Sequence, residues 1–325
     1  MRAIIYGAGA IGCVIGGHLV RTGHDVILIG RPGNINAINR AGLNLITPTG
    51  THTLKIPAVT SPEQITFRPD DVIFLSVKGQ DTEEALRALK AVTEDVPVYC
   101  FQNGVRNEEI AVRYFRRIYG VMIRVGAVYI KDGEVTALRD PPGWFIIGRY
   151  PQGTDELTET VAASLRTASF PVKTTEDVMP YKWGKLMTNL ANVIDAISSG
   201  RKSELNAITQ ATQRELADLL AQAKINWISQ GAMSKGWLEI NAPLRGSFGG
   251  EAQNSTWQSL AREQGTVETE FLNGEVVRLA KNLGRQAPIN EKLIKISLEM
   301  AAKHEPPGKY TPSQLSEILR FSTPA

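Results

Sequence analysis

Residues 2–20 read RAIIYGAGAIGCVIGGHLV, and the fold of the first half follows from this stretch. Ala3 to Tyr6 is a short apolar strand. Gly7-Ala8-Gly9-Ala10-Ile11-Gly12 follows at once, and a helix is predicted from Ala10 to Thr22. A G-x-G-x-x-G run means little alone, but between a strand and a helix each glycine has a purpose. Gly7 permits the tight turn, Gly9 lets a pyrophosphate approach the backbone, and Gly12 lets helix and strand pack closely. The helix start offers free N–H groups and the positive end of its dipole to an anion. The glycines also interrupt the apolar stretch from Met1 to Val20, which otherwise looks like a secretory signal.

Outward from there, strands and helices alternate. Strands are predicted at Asp25–Ile29, Asp71–Val77, Pro97–Phe101, Arg117–Arg124, Ala127–Ile130 and Gly143–Gly148. A helix is predicted at Asp81–Val92, with Ala85, Leu86, Leu89 and Val92 at helical spacing. Short apolar strands separated by helices imply a parallel sheet covered on both faces. The expectation is an α/β chain with a doubly wound, Rossmann-type domain over residues 1–174. Helix formers dominate beyond it, with periodic runs at Met179–Ile197, Gln210–Gln230, Val267–Leu283 and Asn290–Lys303. Residues 175–325 are therefore expected to form an all-helical second domain. The segment PVKTT at 171–175 is taken as the break.

Composition bounds the function. Apolar residues make up 42% and charged residues 21% of the 325, and the net charge is +3. No long basic run implies a nucleic-acid groove. No stretch approaches the roughly 18 uninterrupted apolar residues of a membrane span. Cys13 and Cys100 sit in apolar stretches and suit the reducing cytosol. His18, His24, His52 and His304 do not cluster, so no metal site is expected.

The second strand ends in Gly30-Arg31 rather than in the Asp or Glu that binds a ribose 2′-hydroxyl. An Arg there can pair with a 2′-phosphate, so NADP(H) is expected over NAD(H). None of the four His suits a proton donor, which leaves Lys, Tyr or Ser helped by a carboxylate. Lys185, Asn189 and Asn192 stand at i, i+4 and i+7, on one face of the predicted helix. That face reads equally as a solvated stripe or as a polar strip facing an interdomain cleft. Lys78 and Asn103-Gly104 lie at carboxyl ends of sheet strands, where such folds bind ligands. A surface lysine and a turn pair are the plain alternative.

GAGAIG, SVKGQD, FQNGV, WGKLMTN and the late segment STWQSLAREQGTVETEFLNGEV together, in this order, resemble the ketopantoate reductase (2-dehydropantoate 2-reductase) family over nearly the whole chain. The resemblance implies NADPH-dependent reduction of ketopantoate to D-pantoate, on the cytoplasmic route to pantothenate and coenzyme A. It implies Lys185 as general acid and Glu268 as an active-site carboxylate near cofactor and substrate. By spacing alone, Glu268 reads as a solvated acid near a helix start. The resemblance further implies Gly7 to Gly12 (Gly7, Ala8, Gly9, Ala10, Ile11, Gly12), Arg31, Lys78 and Asn103 on the cofactor. It implies Asn189, Asn103 and Ser255 on the substrate, with Asn192 a further candidate. The chain departs from the family where Val193 replaces a second substrate Asn, where SSGRKS at 198–203 lacks another, and where Ser259 follows Gln258 in place of Asp. Those changes leave two alternatives open: a reductase of another 2-oxo acid, or a non-catalytic NADPH sensor. A small-molecule substrate is the expected partner, and a homodimer through the helical domain is left open.

Overall fold

The computed structural model describes residues 1–236, 246–248 and 254–319. The chain forms two compact units, the first running from Met1 to Tyr181 and the second starting at Lys182. The first unit also takes in the described residues 231–236 and 246–248, and the second takes in 254–319.

In the first unit the order is β1 (Arg2–Tyr6), α1 (Ala10–Arg21), β2 (Asp25–Ile29), α2 (Pro32–Ala41), β3 (Leu43–Thr47), β4 (Gly50–Leu54) and β5 (Ala58–Val59). Then come β6 (Asp71–Leu75), α3 (Thr82–Lys90), β7 (Val98–Cys100), α4 (Asn107–Ala111), β8 (Ile118–Val125), β9 (Ala127–Val128) and β10 (Glu134–Ala137). β11 (Arg139–Asp140), β12 (Gly143–Arg149), α5 (Glu156–Thr167) and β13 (Val172–Thr174) complete it, with α6 (Met179–Asn189) leading out. The main sheet has eight strands in the order β13-β12-β8-β7-β6-β1-β2-β5. Beyond the charged residues that open them, the central strands β1 and β6 are largely apolar because helices cover both faces, and Ile4, Ile5, Ile73 and Phe74 are fully buried.

Three features differ from the expected layout. β12 runs antiparallel to β8, pairing Gly143 with Val125 through Arg149 with Tyr119, so the sheet is parallel only in its greater part. PVKTT is not a break: Val172–Thr174 pairs in parallel with Phe145–Ile147 and closes that edge. A second sheet, β4-β3-β10-β9, was not foreseen. Its core strand buries Leu43, Leu45 and Thr47 and turns Asn44 and Ile46 outward, the alternation of a half-covered strand.

A charged pair, Arg2 and Asp71, is buried in this unit. Arg2 sends Nε to Asp71 Oδ1 at 2.6 Å and a terminal nitrogen to Oδ2 at 2.7 Å, joining the starts of β1 and β6. Such a bidentate pair fixes the register of the two strands.

His18, on α1, is 5% exposed and meets Phe170 edge-on at 5.3 Å. Burial, aided by Arg21, pushes its imidazole down to about 4. An unfolded histidine titrates near 6.5 and therefore takes up its proton first as pH falls. Native stability is thus lost progressively below pH 6.5, by about 2 kcal/mol at pH 5. Urea unfolding of the wild type and of His18→Gln at both pH values checks this. Equal pH dependence in the two proteins would exclude His18 as the cause.

In the second unit α6 runs on to Asn189. It is followed by α7 (Ala191–Ile197), α8 (Lys202–Ala223), α10 (Ser255–Ala261), α11 (Asn273–Asn282), α12 (Pro288–Ala302) and α13 (Pro312–Leu319). Between α8 and α10 in the chain, α9 (Gln230–Gly236) from Gly231 onward and β14 (Gly246–Ser247) belong to the first unit. The described residues of the second unit are helical apart from turns, a short 3₁₀ segment and one isolated bridge, Ser198 to Tyr310. Val193, Ile194, Ala196 and Ile197 of α7 pack with Leu205, Ile208, Leu293 and Met300 in its core.

Three predicted helices have other limits. α8 starts at Lys202 and stops at Ala223, where Lys224 turns left-handed (φ 54°) and Ile225 N–H returns to the Leu220 carbonyl. The stretch 267–283 is a 3₁₀ turn at Glu268–Phe271 followed by α11. The run 179–197 is two helices parted at Leu190. Asn273 Nδ2 donates to the Leu190 carbonyl at 3.4 Å, and Gln213 Nε2 donates to the Met187 carbonyl at 2.9 Å. Side-chain donors thus take backbone acceptors that continuing helix would use.

Candidate functional site

The first unit collects its candidate residues at one sheet edge. β7, β6, β1 and β2 are neighbours in that order and all parallel. Their carboxyl ends therefore lie side by side and carry, in sequence, Gln102-Asn103, Ser76 to Asp81, Gly7 to Gly12 and Gly30-Arg31. At about 4.8 Å per strand spacing, the row from β7 to β2 spans roughly 14 Å. The glycine loop sits between β6 and β2, where the direction of winding reverses.

The loop is built to leave backbone bare. Gly7 has φ +120°, closed to ordinary L side chains, and a Cβ on it would run into the Ser76–Val77 backbone. A Cβ on Gly12 would run into the Gly7 carbonyl. A Cβ on Gly9 would meet nothing within 4 Å. Gly9 caps α1 without a side chain of its own, and no acid stands in the first turn. A concave backbone patch at a dipole-positive helix start, with open space above it, fits a pyrophosphate.

Side chains that sequence reasoning missed hold this loop. Gly7 and Ala8 N–H both donate to the Ile29 carbonyl, at 2.9 and 2.8 Å. Buried Asn34 gives Nδ2 to the Ala8 carbonyl at 2.7 Å and accepts from Gly133 N–H at 2.7 Å. Ser76 Oγ donates to the Gly7 carbonyl at 3.0 Å. A second network steadies the β6 and β7 loops. Gln102 Nε2 donates to the Val77 carbonyl (2.9 Å) and to Thr82 Oγ1 (2.8 Å). Thr82 in turn donates to Asn107 Oδ1, whose Nδ2 reaches the Asn103 carbonyl at 2.8 Å. Asn103 is thereby fixed by its backbone, while its buried Oδ1 has no hydrogen-bond partner. An unpaired buried acceptor costs about 1–3 kcal/mol, so it marks a place for a donor from a ligand. Lys78 is half-buried at the start of a 3₁₀ turn, Gly79–Asp81. Arg31, at the start of α2, is largely exposed and lies 3.7 Å from Asp81.

The second unit carries the remaining candidates. Lys185 is half-buried on α6, and Asn189 is buried one turn further on. Asn189 Nδ2 is buried with no hydrogen-bond partner. Asn192 lies beyond Leu190, in α7. Its carbonyl accepts from Asn254 Nδ2 at 3.1 Å. Asn254 also caps α10 through Trp257 N–H, which brings Ser255, exposed at the start of α10, close to Asn192. Val193 is core, 1% exposed. Ser259 is buried and donates to the Ser255 carbonyl at 2.9 Å. Glu268 is not the solvated acid its spacing suggests: it is 8% exposed. The adjoining Thr269 accepts from Ser297 of α12 at 3.1 Å, which holds this turn against the helical core.

A doubly wound sheet with a bare glycine loop at its switch point defines a dinucleotide-binding class of fold. The ketopantoate reductase PanE/ApbA family matches residues 3–152, and its C-terminal counterpart matches residues 177–301. The chain belongs to the ketopantoate reductase family of oxidoreductases. It is 33% identical to the 2-dehydropantoate 2-reductase of Pyrococcus horikoshii, over 89% of this chain and 94% of that one. It is 29% identical to that of Aquifex aeolicus, over 91% and 96%. Among solved structures, a PanE/ApbA family ketopantoate reductase from Ralstonia eutropha JMP134 superposes with TM-score 0.76 at 27% identity, covering 94% of this chain and 99% of that one. A D-mandelate dehydrogenase solved with NADH and anilino(oxo)acetate shares the fold, with TM-score 0.78 at 21% identity over 94% and 99%.

Proposed function

We propose that the protein is an NADPH-dependent 2-oxo acid reductase, with ketopantoate as its substrate and D-pantoate as its product. The observation that carries the reading is Asn189, whose amide is buried without a partner one helical turn from Lys185. A buried N–H₂ left open one helical turn from a lysine is a poor device for stability and a good one for an oxygen-bearing substrate.

A nicotinamide dinucleotide held at this site would supply the hydride that the ketone carbon takes up. Gly7 to Gly12 bind its pyrophosphate, Arg31 pairs with the 2′-phosphate, and Lys78 and Asn103 hold the nicotinamide side. Lys185 donates a proton to the ketone oxygen and, being cationic, stabilises the negative charge developing there. Glu268 accepts hydrogen bonds beside the reacting groups. Asn189 orients the substrate oxygen, and Ser255 with Asn192 takes the carboxylate end. Support for this assignment comes from the family match in both halves together with the glycine loop and the orphaned Asn103 and Asn189 amides.

A second reading keeps the chemistry and changes the 2-oxo acid. Val193 favours it, since a fully buried apolar residue stands where the family has a further substrate amide. The test is NADPH oxidation with ketopantoate and with a panel of other 2-oxo acids, with NADH as control. Turnover fastest with ketopantoate supports the first reading. A different best substrate selects the second, and tight NADPH binding without turnover of any acid would make the chain a cofactor sensor.

A further inference from the structure

Dinucleotide folds that take a free ribose place an acid at the end of the second strand. Here that place is held by Arg31, and the acid comes from the neighbouring loop. Asp81 follows β6 and reaches across the sheet edge, on the far side of the glycine loop, until its Oδ2 lies 3.7 Å from an Arg31 terminal nitrogen. We infer that Asp81 is a specificity-determining residue that competes with a 2′-phosphate for Arg31 and offers an acceptor to a 2′-hydroxyl, so that the site takes both NADPH and NADH. The inference rests on the proposed role of Arg31 at the ribose.

The pair does little for the fold. The Arg31 and Asp81 side chains are 72% and 40% exposed, and at 3.7 Å the contact is longer than a hydrogen bond. Exposed pairs of this kind contribute at most about 1 kcal/mol. Its position is the informative part. Gly30 lies directly against Ala8 of the glycine loop, so the Arg31 backbone borders the loop. A phosphate on the Arg31 fork would therefore stand beside the Asp81 carboxylate, with Lys78 and Glu84 the other charges facing it. Two anions on one guanidinium repel each other. A ribose hydroxyl carries no charge, and it donates where the phosphate cannot.

The experiment measures binding to the apo protein, with NADPH and NADH and with the fragments 2′,5′-ADP and 5′-ADP, for the wild type, Asp81→Asn and Arg31→Ala. Asp81→Asn keeps shape and removes charge, and it is expected to widen the NADPH-over-NADH ratio about tenfold. The 2′,5′-ADP affinity should rise in parallel and the 5′-ADP affinity should not. Arg31→Ala is expected to weaken NADPH and 2′,5′-ADP by about tenfold or more and to leave NADH within about threefold. An unchanged ratio in Asp81→Asn, with NADPH still lost in Arg31→Ala, overturns the inference and leaves the NADPH reading in place. Unchanged NADPH affinity in Arg31→Ala overturns both.

Discussion

Lys185→Ala lowers kcat by about a thousandfold, with the KM for the oxo acid and the Kd for NADPH moving by less than about threefold; this is the expected result if Lys185 is the proton donor. A positioned general acid acts in the transition state, so its loss falls on kcat rather than on ground-state binding. Lys185 is half-buried on an otherwise well-packed helix, and shortening it leaves the buried faces of Trp183, Leu186 and Met187 intact. The variant should therefore fold normally. Asn189→Ala provides the contrast. If Asn189 binds the substrate as proposed, the variant loses that hydrogen bond, and KM is expected to rise by about tenfold with a smaller fall in kcat. Steady-state kinetics on both variants, with circular dichroism as the fold control, decides the matter. A Lys185→Ala enzyme within about tenfold of wild-type kcat would move the proton transfer to another group.

The second large effect separates two glycines that look alike in the motif. Gly9→Ala places its methyl in open space and should cost no more than about 1 kcal/mol of stability, the loss of glycine as helix cap. If the loop holds a pyrophosphate as proposed, the same methyl obstructs its approach, and NADPH affinity should fall by on the order of thirtyfold. Gly12→Ala acts on the protein itself. Its methyl would collide with the Gly7 carbonyl and crowd Ser76 Oγ and Ile5 Cγ2, at 2.7 and 2.8 Å. Overpacking of this kind costs about 1–3 kcal/mol, and it displaces the loop that Ser76 and Asn34 hold. Thermal unfolding and NADPH titration of the two variants together test the assignment. Equal loss of stability in both would mean that the loop's role is structural and that Gly9 faces no ligand.

Much of this was legible before any coordinates. The strand ends at Tyr6, Ile29, Leu75 and Cys100 are marked by apolar runs followed by loop residues. Parallel pairing then brings the following loops to one edge. That is why Lys78, Asn103 and Arg31 could be grouped with the glycine loop from spacing alone. The β3–β4 hairpin left a weaker trace: Leu43-Asn44-Leu45 alternates and a Pro-Thr-Gly turn follows, but Ile46 faces outward and Thr47 inward, against a strict period of two. The single helix drawn over 179–197 failed for another reason. Its periodicity is real, but Asn273, far along the chain, takes the Leu190 carbonyl and parts the helix there.

Local chemistry therefore determined the glycine turn, the alternation of strand and helix, the residue types at each strand end, and Lys185 with Asn189 one turn apart. These are matters of neighbours within a few residues, where backbone geometry and hydrophobic period act. Tertiary structure alone decided that Glu268 is buried, that Asn34 and Ser76 hold the glycine loop, that Val193 belongs to the core, and that Asp81 confronts Arg31. Each of these joins residues tens of positions apart or rests on how helices close over one another, and no local pattern encodes which distant side chain will fill a given space.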